Sequence, residues 1–199
     1  MKNNSKNGRV FLTNAKRVIS CYTFNFFELL SVKNSFFNKI LTNIRKDVFT
    51  DDIKMADLKK NDKILVIGCG ILPTHCILIS ENVKSKVFGI DNSPKAVKLA
   101  KKYIKKQGLE KRVKIELDEG EEISVENYDA IFIAINVFPI DNVLKSLSKQ
   151  LKTGSKVLCK SISNDIPEVI QKTGLLKDFE IKDMKNNPQS QSYLLIKRN

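Results

Sequence analysis

The chain has 199 residues, 42% of them hydrophobic and 29% charged, enough for one domain with a sizeable core. No uninterrupted apolar run approaches the roughly 20 residues a membrane span needs, and the basic start MKNNSKNGRV lacks the apolar segment of a signal peptide, so the expectation is a cytoplasmic protein with no membrane partner. The net charge of +13 comes almost wholly from Lys spread along the chain, with Arg only at positions 9, 17, 45, 112 and 198; Arg is the residue suited to bidentate phosphate and base contacts, so a nucleic-acid partner is open but not favoured.

Cys21, Cys69, Cys76 and Cys159 form no C-x-x-C pair, and His75 is the single His. That pattern gives neither a disulfide framework nor a zinc knuckle, and no metal is expected.

Residues 1–56 read as a helical N-terminal cap. Phe26, Leu30, Phe37, Leu41, Ile44 and Val48 recur at helical spacing along one face, and Asn34-Ser35 marks a break between two helices. Such a cap either packs passively on the main domain or closes over a site as a lid. In the second case Tyr22 and Glu28 are its candidate polar groups.

Residues 57–199 read as an α/β domain. Ile64 to Ile67 form an apolar run that stops at Gly68-Cys69-Gly70, and a second apolar segment resumes at Cys76. This is the pattern of a buried parallel strand, a glycine turn and a helix start. Bare backbone and free helix N–H groups there suit a carboxylate or a phosphate. The next expected elements are strand Lys86–Ile90 ending at Asp91, a helix Lys95–Gln107 with Ser93 as N-cap and Pro94 at its first position, and strand Val113–Leu117 ending at Asp118. Strand Ala130–Ile135, a helix over Asp141–Gln150, strand Lys156–Cys159 and a short helix Ile166–Gln171 follow. Strand Phe179–Asp183, a loop Lys185–Gln191 and strand Tyr193–Lys197 complete the chain. Alternating strands and helices imply a doubly wound parallel sheet with helices on both faces.

Ligands of such sheets bind at the carboxyl ends of the strands. The residues placed there are the glycine loop, Asp91, Asp118 and Asn136. Asp91 stands at a spacing from the glycines at which a carboxylate accepts from ribose hydroxyls; the alternative is a carboxylate that caps the Ser93 helix. Asp118 is either an acceptor for an adenine amino group or a solvated turn residue. Pro73 occupies the third position of a G-x-G-x-x-G pattern, which argues against a nicotinamide dinucleotide. His75 and Asn136 are the candidates for acid–base or acceptor contacts, His75 alternatively being an ordinary surface imidazole.

The stretches ADLKKNDKILVIGCG, VFGID, VKIELDEG, YDAIFIA and LKTGSKVL together resemble the class I S-adenosylmethionine-dependent methyltransferases over residues 57–197. The resemblance implies S-adenosylmethionine as cofactor, sheet order 3-2-1-4-5-7-6, Gly68 and Gly70 at the methionine part, Asp91 at the ribose and Asp118 at the adenine. The flanking Cys69, Leu72, Pro73, Asn92, Glu119 and Ala134, with Asn136, complete the expected cofactor-contacting set. Val66 stands where that family usually has an acid, and Leu72-Pro73 follow the second glycine. Both features resemble the loop of nicotianamine synthase, which transfers the aminocarboxypropyl group of the same cofactor. The expected function is therefore a methyltransferase acting on a small-molecule acceptor, with aminocarboxypropyl transfer as one alternative and a non-catalytic nucleotide- or nucleic-acid-binding module as another.

Overall fold

A computed structural model describes residues 49–162, 165–187 and 190–199. Residues 1–48, most of the stretch 1–56 expected to form a cap and including Tyr22 and Glu28, lie outside the described residues.

The described residues form a seven-stranded sheet in the order β3-β2-β1-β4-β5-β7-β6. Its strands are β1 (Ile64–Ile67), β2 (Val87–Asp91), β3 (Val113–Leu117), β4 (Ala130–Ile133), β5 (Lys156–Ser161), β6 (Phe179–Asn187) and β7 (Ser190–Lys197). The first five pair in parallel, while β7 runs antiparallel to both β5 and β6. β1 has β2 on one side and β4 on the other, with Ile64 opposite Val87 and Ala130. A strand covered on both faces and both edges needs apolar residues throughout, and all of β1 is buried.

Two apolar layers sandwich the sheet. On one face Ile64, Val66, Leu158 and Leu194 pack with α1 (Thr74–Val83), α2 (Pro94–Lys106) and the helical segment 49–55, which contributes Phe49 and Ile53. On the other, Leu65, Ile67, Ile131 and Ile133 pack with α3 (Ile140–Gln150) and α4 (Ile166–Lys172). Alternation along each strand assigns its side chains to one layer or the other.

The expected elements are present with shifted ends. β4 stops at Ile133 rather than Ile135: the last ladder bond runs from the Ala134 amide to the Ile67 carbonyl at 3.0 Å, and the Ala134 carbonyl then accepts from the Val137 amide at 3.2 Å as the chain turns out of the sheet. The loop expected over Lys185–Gln191 is largely sheet: β6 runs to Asn187 and β7 begins at Ser190, with a register shift between Ile181 and Asp183.

α2 begins as its sequence demands. The Ser93 hydroxyl accepts from the Ala96 amide at 3.3 Å, and Pro94 fills the first turn. Ser93→Ala should lower the unfolding free energy by about 1 kcal/mol in a urea titration; no measurable change would mean that water replaces the cap without loss.

Candidate active site

The carboxyl ends of β1, β2, β3 and β4 surround a cavity of about 400 Å³. Its wall is built first by the glycine turn. Gly68 and Gly70 have φ of +76° and +71°, in the left-handed region where a Cβ is disfavoured. A Cβ on Gly68 would also lie 2.6 Å from the Val137 methyl group. The turn and the 134–137 segment can approach this closely only because residue 68 has no side chain.

The turn is clasped to β2. The amides of Gly68 and Cys69 both donate to the Ile90 carbonyl at 2.9 Å, and the Gly70 amide donates to Asp91 Oδ2 at 2.9 Å. Asp91 Oδ1 accepts from the Ser93 amide at 3.0 Å. The free amide cradle expected at the glycine turn is therefore not formed by these residues, since β2 takes up their N–H groups. Asp91 fastens both the turn and the entry to α2. Each of its oxygens has a further lone pair, so the carboxylate can still accept from a ligand.

The cavity rim carries Asp91, Asp118, Glu119 and Glu121, against Lys95 as its basic residue. Asn92 donates to Glu119 at 3.2 Å, and Asp118 Oδ1 accepts from the Glu119 amide at 2.8 Å. A strongly basic chain thus presents an acidic mouth at this end of the sheet, which favours a cationic ligand over a polyanion.

Of the residues expected from the sequence, Gly68, Gly70, Asp91, Asn92, Asp118, Glu119 and Asn136 line this one cavity. Cys69, Leu72, Pro73 and Ala134 do not; all four are buried behind the wall. The Cys69 side chain packs in the layer with Cys76 and Val66, so alternation at the turn sends it into the core. His75 is also outside the cavity lining: its ring packs against Phe49, centroids 3.8 Å apart and planes tilted by 42°. Gly120 was missed, though a Cβ there would lie 2.6 Å from the Ile67 side chain. Val137 and Phe138, also lining the cavity, gave no chemical signal in the sequence.

Burial pushes the Cys76 thiol up to about 12 and raises that of Cys159 as well, so neither is a thiolate nucleophile at neutral pH. Among the described residues no group of three or more His, Cys, Asp or Glu is arranged to hold a metal ion.

A family profile described as a methyltransferase domain matches residues 58–195. The chain belongs to the methyltransferase domain family. Among curated relatives, this domain is 30% identical over 107 residues to an L-histidine 2-aminobutanoyltransferase of Yersinia pestis, covering 54% of this chain and 40% of that protein. It is 28% identical over 132 residues to a protein-L-isoaspartate O-methyltransferase of Thermococcus onnurineus, covering 65% and 58%. The chain thus spans about half the length of these relatives.

Solved structures share the fold at low identity. MtNAS, a nicotianamine synthase crystallised as a mutant with S-adenosylmethionine, matches with a TM-score of 0.75 and 15% identity over 94% of this chain and 77% of that one. An RNA methyltransferase from Salinibacter ruber with S-adenosyl-L-homocysteine matches at 0.63 and 16%, over 77% and 92%. The sheet order and the mostly parallel pairing are those of the class I methyltransferase fold.

Proposed function

We propose that this methyltransferase domain binds S-adenosylmethionine in the cavity and transfers a group from it to a small-molecule acceptor, the methyl group first among those available. The observation that carries the reading is the convergence of Gly68, Gly70, Asp91, Asp118 and Asn136 on one acid-rimmed cavity at the strand ends. Its volume lies in the ordinary range for a cofactor site. The acid rim suits a sulfonium cation and repels the phosphates of a dinucleotide or a nucleic-acid acceptor.

In this reading Asp91 accepts from the ribose, Asp118 and Glu119 face the adenine, and Asn136 orients the acceptor. The bound cofactor supplies an electrophilic carbon. The chain's part is to align the acceptor with it, since transfer to a good nucleophile needs mainly positioning.

A second reading is transfer of the aminocarboxypropyl group. It is supported by the 2-aminobutanoyltransferase relative, by the likeness to MtNAS over 94% of the chain, and by the Gly68-Cys69-Gly70-Ile71-Leu72-Pro73 loop.

The test is thermal stability with S-adenosylmethionine, S-adenosylhomocysteine, methylthioadenosine and NAD. A ligand at 100 times its dissociation constant adds about 2.7 kcal/mol, and the first two should do so while NAD does not. No stabilisation by any sulfur ligand would overturn the reading. In turnover with candidate acceptors, S-adenosylhomocysteine as the by-product supports methyl transfer, and methylthioadenosine supports the second reading.

A further inference from the structure

The opposite end of the sheet carries a second concavity, of about 610 Å³, lined by Lys60, Lys63, Lys84, Lys86, Phe88 and Tyr128. It lies at the amino-terminal ends of β1 and β2, away from the acid-rimmed cavity. The lysines are exposed, and among the described residues none of these ammonium groups enters an ion pair. One carboxylate shares the lining, that of Asp62, which accepts from the Lys59 amide at 2.8 Å, and Asp129 close by accepts from the Lys63 amide at 2.9 Å, so lysines outnumber acids around the concavity. Lys114 and Glu116, beside the aromatic pair, form an exposed ion pair at 2.7 Å.

The walls are tied together before any ligand arrives. The buried Ser85 hydroxyl bonds the carbonyls of Lys59 and Lys60, at 3.1 and 2.5 Å, joining the loop that bears Lys60 to the one that bears Lys84 and Lys86. Asp129 fastens Lys63 to the Tyr128 loop. Lys84 takes φ of +58° at the end of α1, where glycine would fit without strain; a lysine is held there at a backbone cost. Phe88 and Tyr128 meet edge to face at 5.8 Å. Burial, reinforced by Glu116 and Asp118, raises the Tyr128 phenol, so it stays a neutral donor.

We infer that this concavity is a docking site for single-stranded nucleic acid, with phosphates on Lys60, Lys63, Lys84 and Lys86 and a base against Tyr128 and Phe88. Lysines on tied loops track a backbone, and an aromatic face accepts any base without sequence preference. The concave shape does not fit a flat lipid surface. The strand is held at the far end from the acid-rimmed mouth, so it is a tether for the protein and not its acceptor.

The probe is a fluorescein-labelled oligouridine of about 12 nucleotides, within the span of such sites. Binding should weaken steeply with salt. The variant K60Q/K63Q/K86Q should lower the log–log salt slope by about 2, at about 0.7 per lost contact with a single strand. Tyr128→Ala should weaken binding roughly tenfold through lost stacking. The Lys→Arg version of the triple variant should bind like the parent. K98Q/K101Q/K105Q on the exposed face of α2 should leave binding unchanged. Equal losses from the α2 variant, no binding at low salt, or equal competition by a polyglutamate peptide of matched charge would each overturn the inference. S-Adenosylmethionine stabilisation reads the other site, so its loss would not be mistaken for a failure of this one.

Discussion

Lys160→Met should lower the unfolding free energy by about 3–5 kcal/mol, the usual cost of leaving a buried charge without its partner. Lys160 is 6% exposed and Asp52 1% exposed. The ammonium donates to Asp52 Oδ2 at 2.5 Å and to the Ser192 hydroxyl at 3.2 Å, and lies 5.3 Å from the centre of the Phe49 ring. Methionine fills the volume of the lysine stem but donates nothing. The Asp52 carboxylate would then stay buried with neither oxygen paired among the described residues, since Oδ1 already has no hydrogen-bond partner there. The double variant D52L/K160M removes both charges and should recover most of the loss, because an apolar pair of similar size replaces a buried ion pair at little net cost. Urea titration of the parent and both variants at one pH gives the comparison. A loss under about 1 kcal/mol in the single variant would mean that water reaches the pair and that it behaves as a surface bridge.

That pair also shows what the segment 49–55 does. Asp52 ties it to Lys160 on β5, whose ammonium also bonds Ser192 on β7, Asp51 pairs with Lys185 on β6, and Phe49 packs at a tilt against His75 at the start of α1. The segment therefore bridges the glycine-turn side of the sheet to its antiparallel edge. His75, a candidate for chemistry in the sequence, serves in this contact instead of lining the cavity.

Much of the fold was legible because its signals are local. The apolar run Ile64–Ile67 before two glycines, the Ser93-Pro94 helix start and strand Val113–Leu117 each announce themselves within a few residues. The β6–β7 extension was not legible, since after the shift at Asp183 the residues Asp183, Lys185, Asn186 and Asn187 show no apolar alternation and backbone pairing holds the strands. Lys160 carried a signal that was passed over. It shares a strand face with the buried Leu158, so an inward-facing lysine had to find an anion. Its partner Asp52 stands 108 positions away, beyond any local pattern. The place of the acids after β2 and β3 at the cavity was legible from strand ends alone. Cys69, Leu72, Pro73 and Ala134 fall outside the cavity lining, because proximity in sequence to a glycine turn does not fix which side of the wall a side chain takes.

Asp91→Ala should weaken S-adenosylmethionine binding by roughly 100-fold. The variant removes the proposed ribose acceptor, a charge-assisted interaction of about 1.5–3 kcal/mol, where each 1.4 kcal/mol is a tenfold change in affinity. It also frees the Gly70 and Ser93 amides that the carboxylate now holds, so the turn that shapes the cavity wall loses its clasp. These two effects can be separated. Asp91→Asn keeps the size of the side chain and one acceptor oxygen, but sets an NH2 group against either the Gly70 or the Ser93 amide. If the clasp dominates, Asn and Ala variants lose similar unfolding free energy without ligand, about 1–3 kcal/mol, and similar affinity. If the ribose contact dominates, Asn retains part of the affinity, because its amide still hydrogen-bonds a hydroxyl, while Ala retains almost none. Calorimetric titration alongside urea unfolding reads both quantities on the same samples. Full affinity in Asp91→Ala, with stability lowered as expected, would leave Asp91 a structural clasp and put the cofactor's ribose elsewhere than the end of β2.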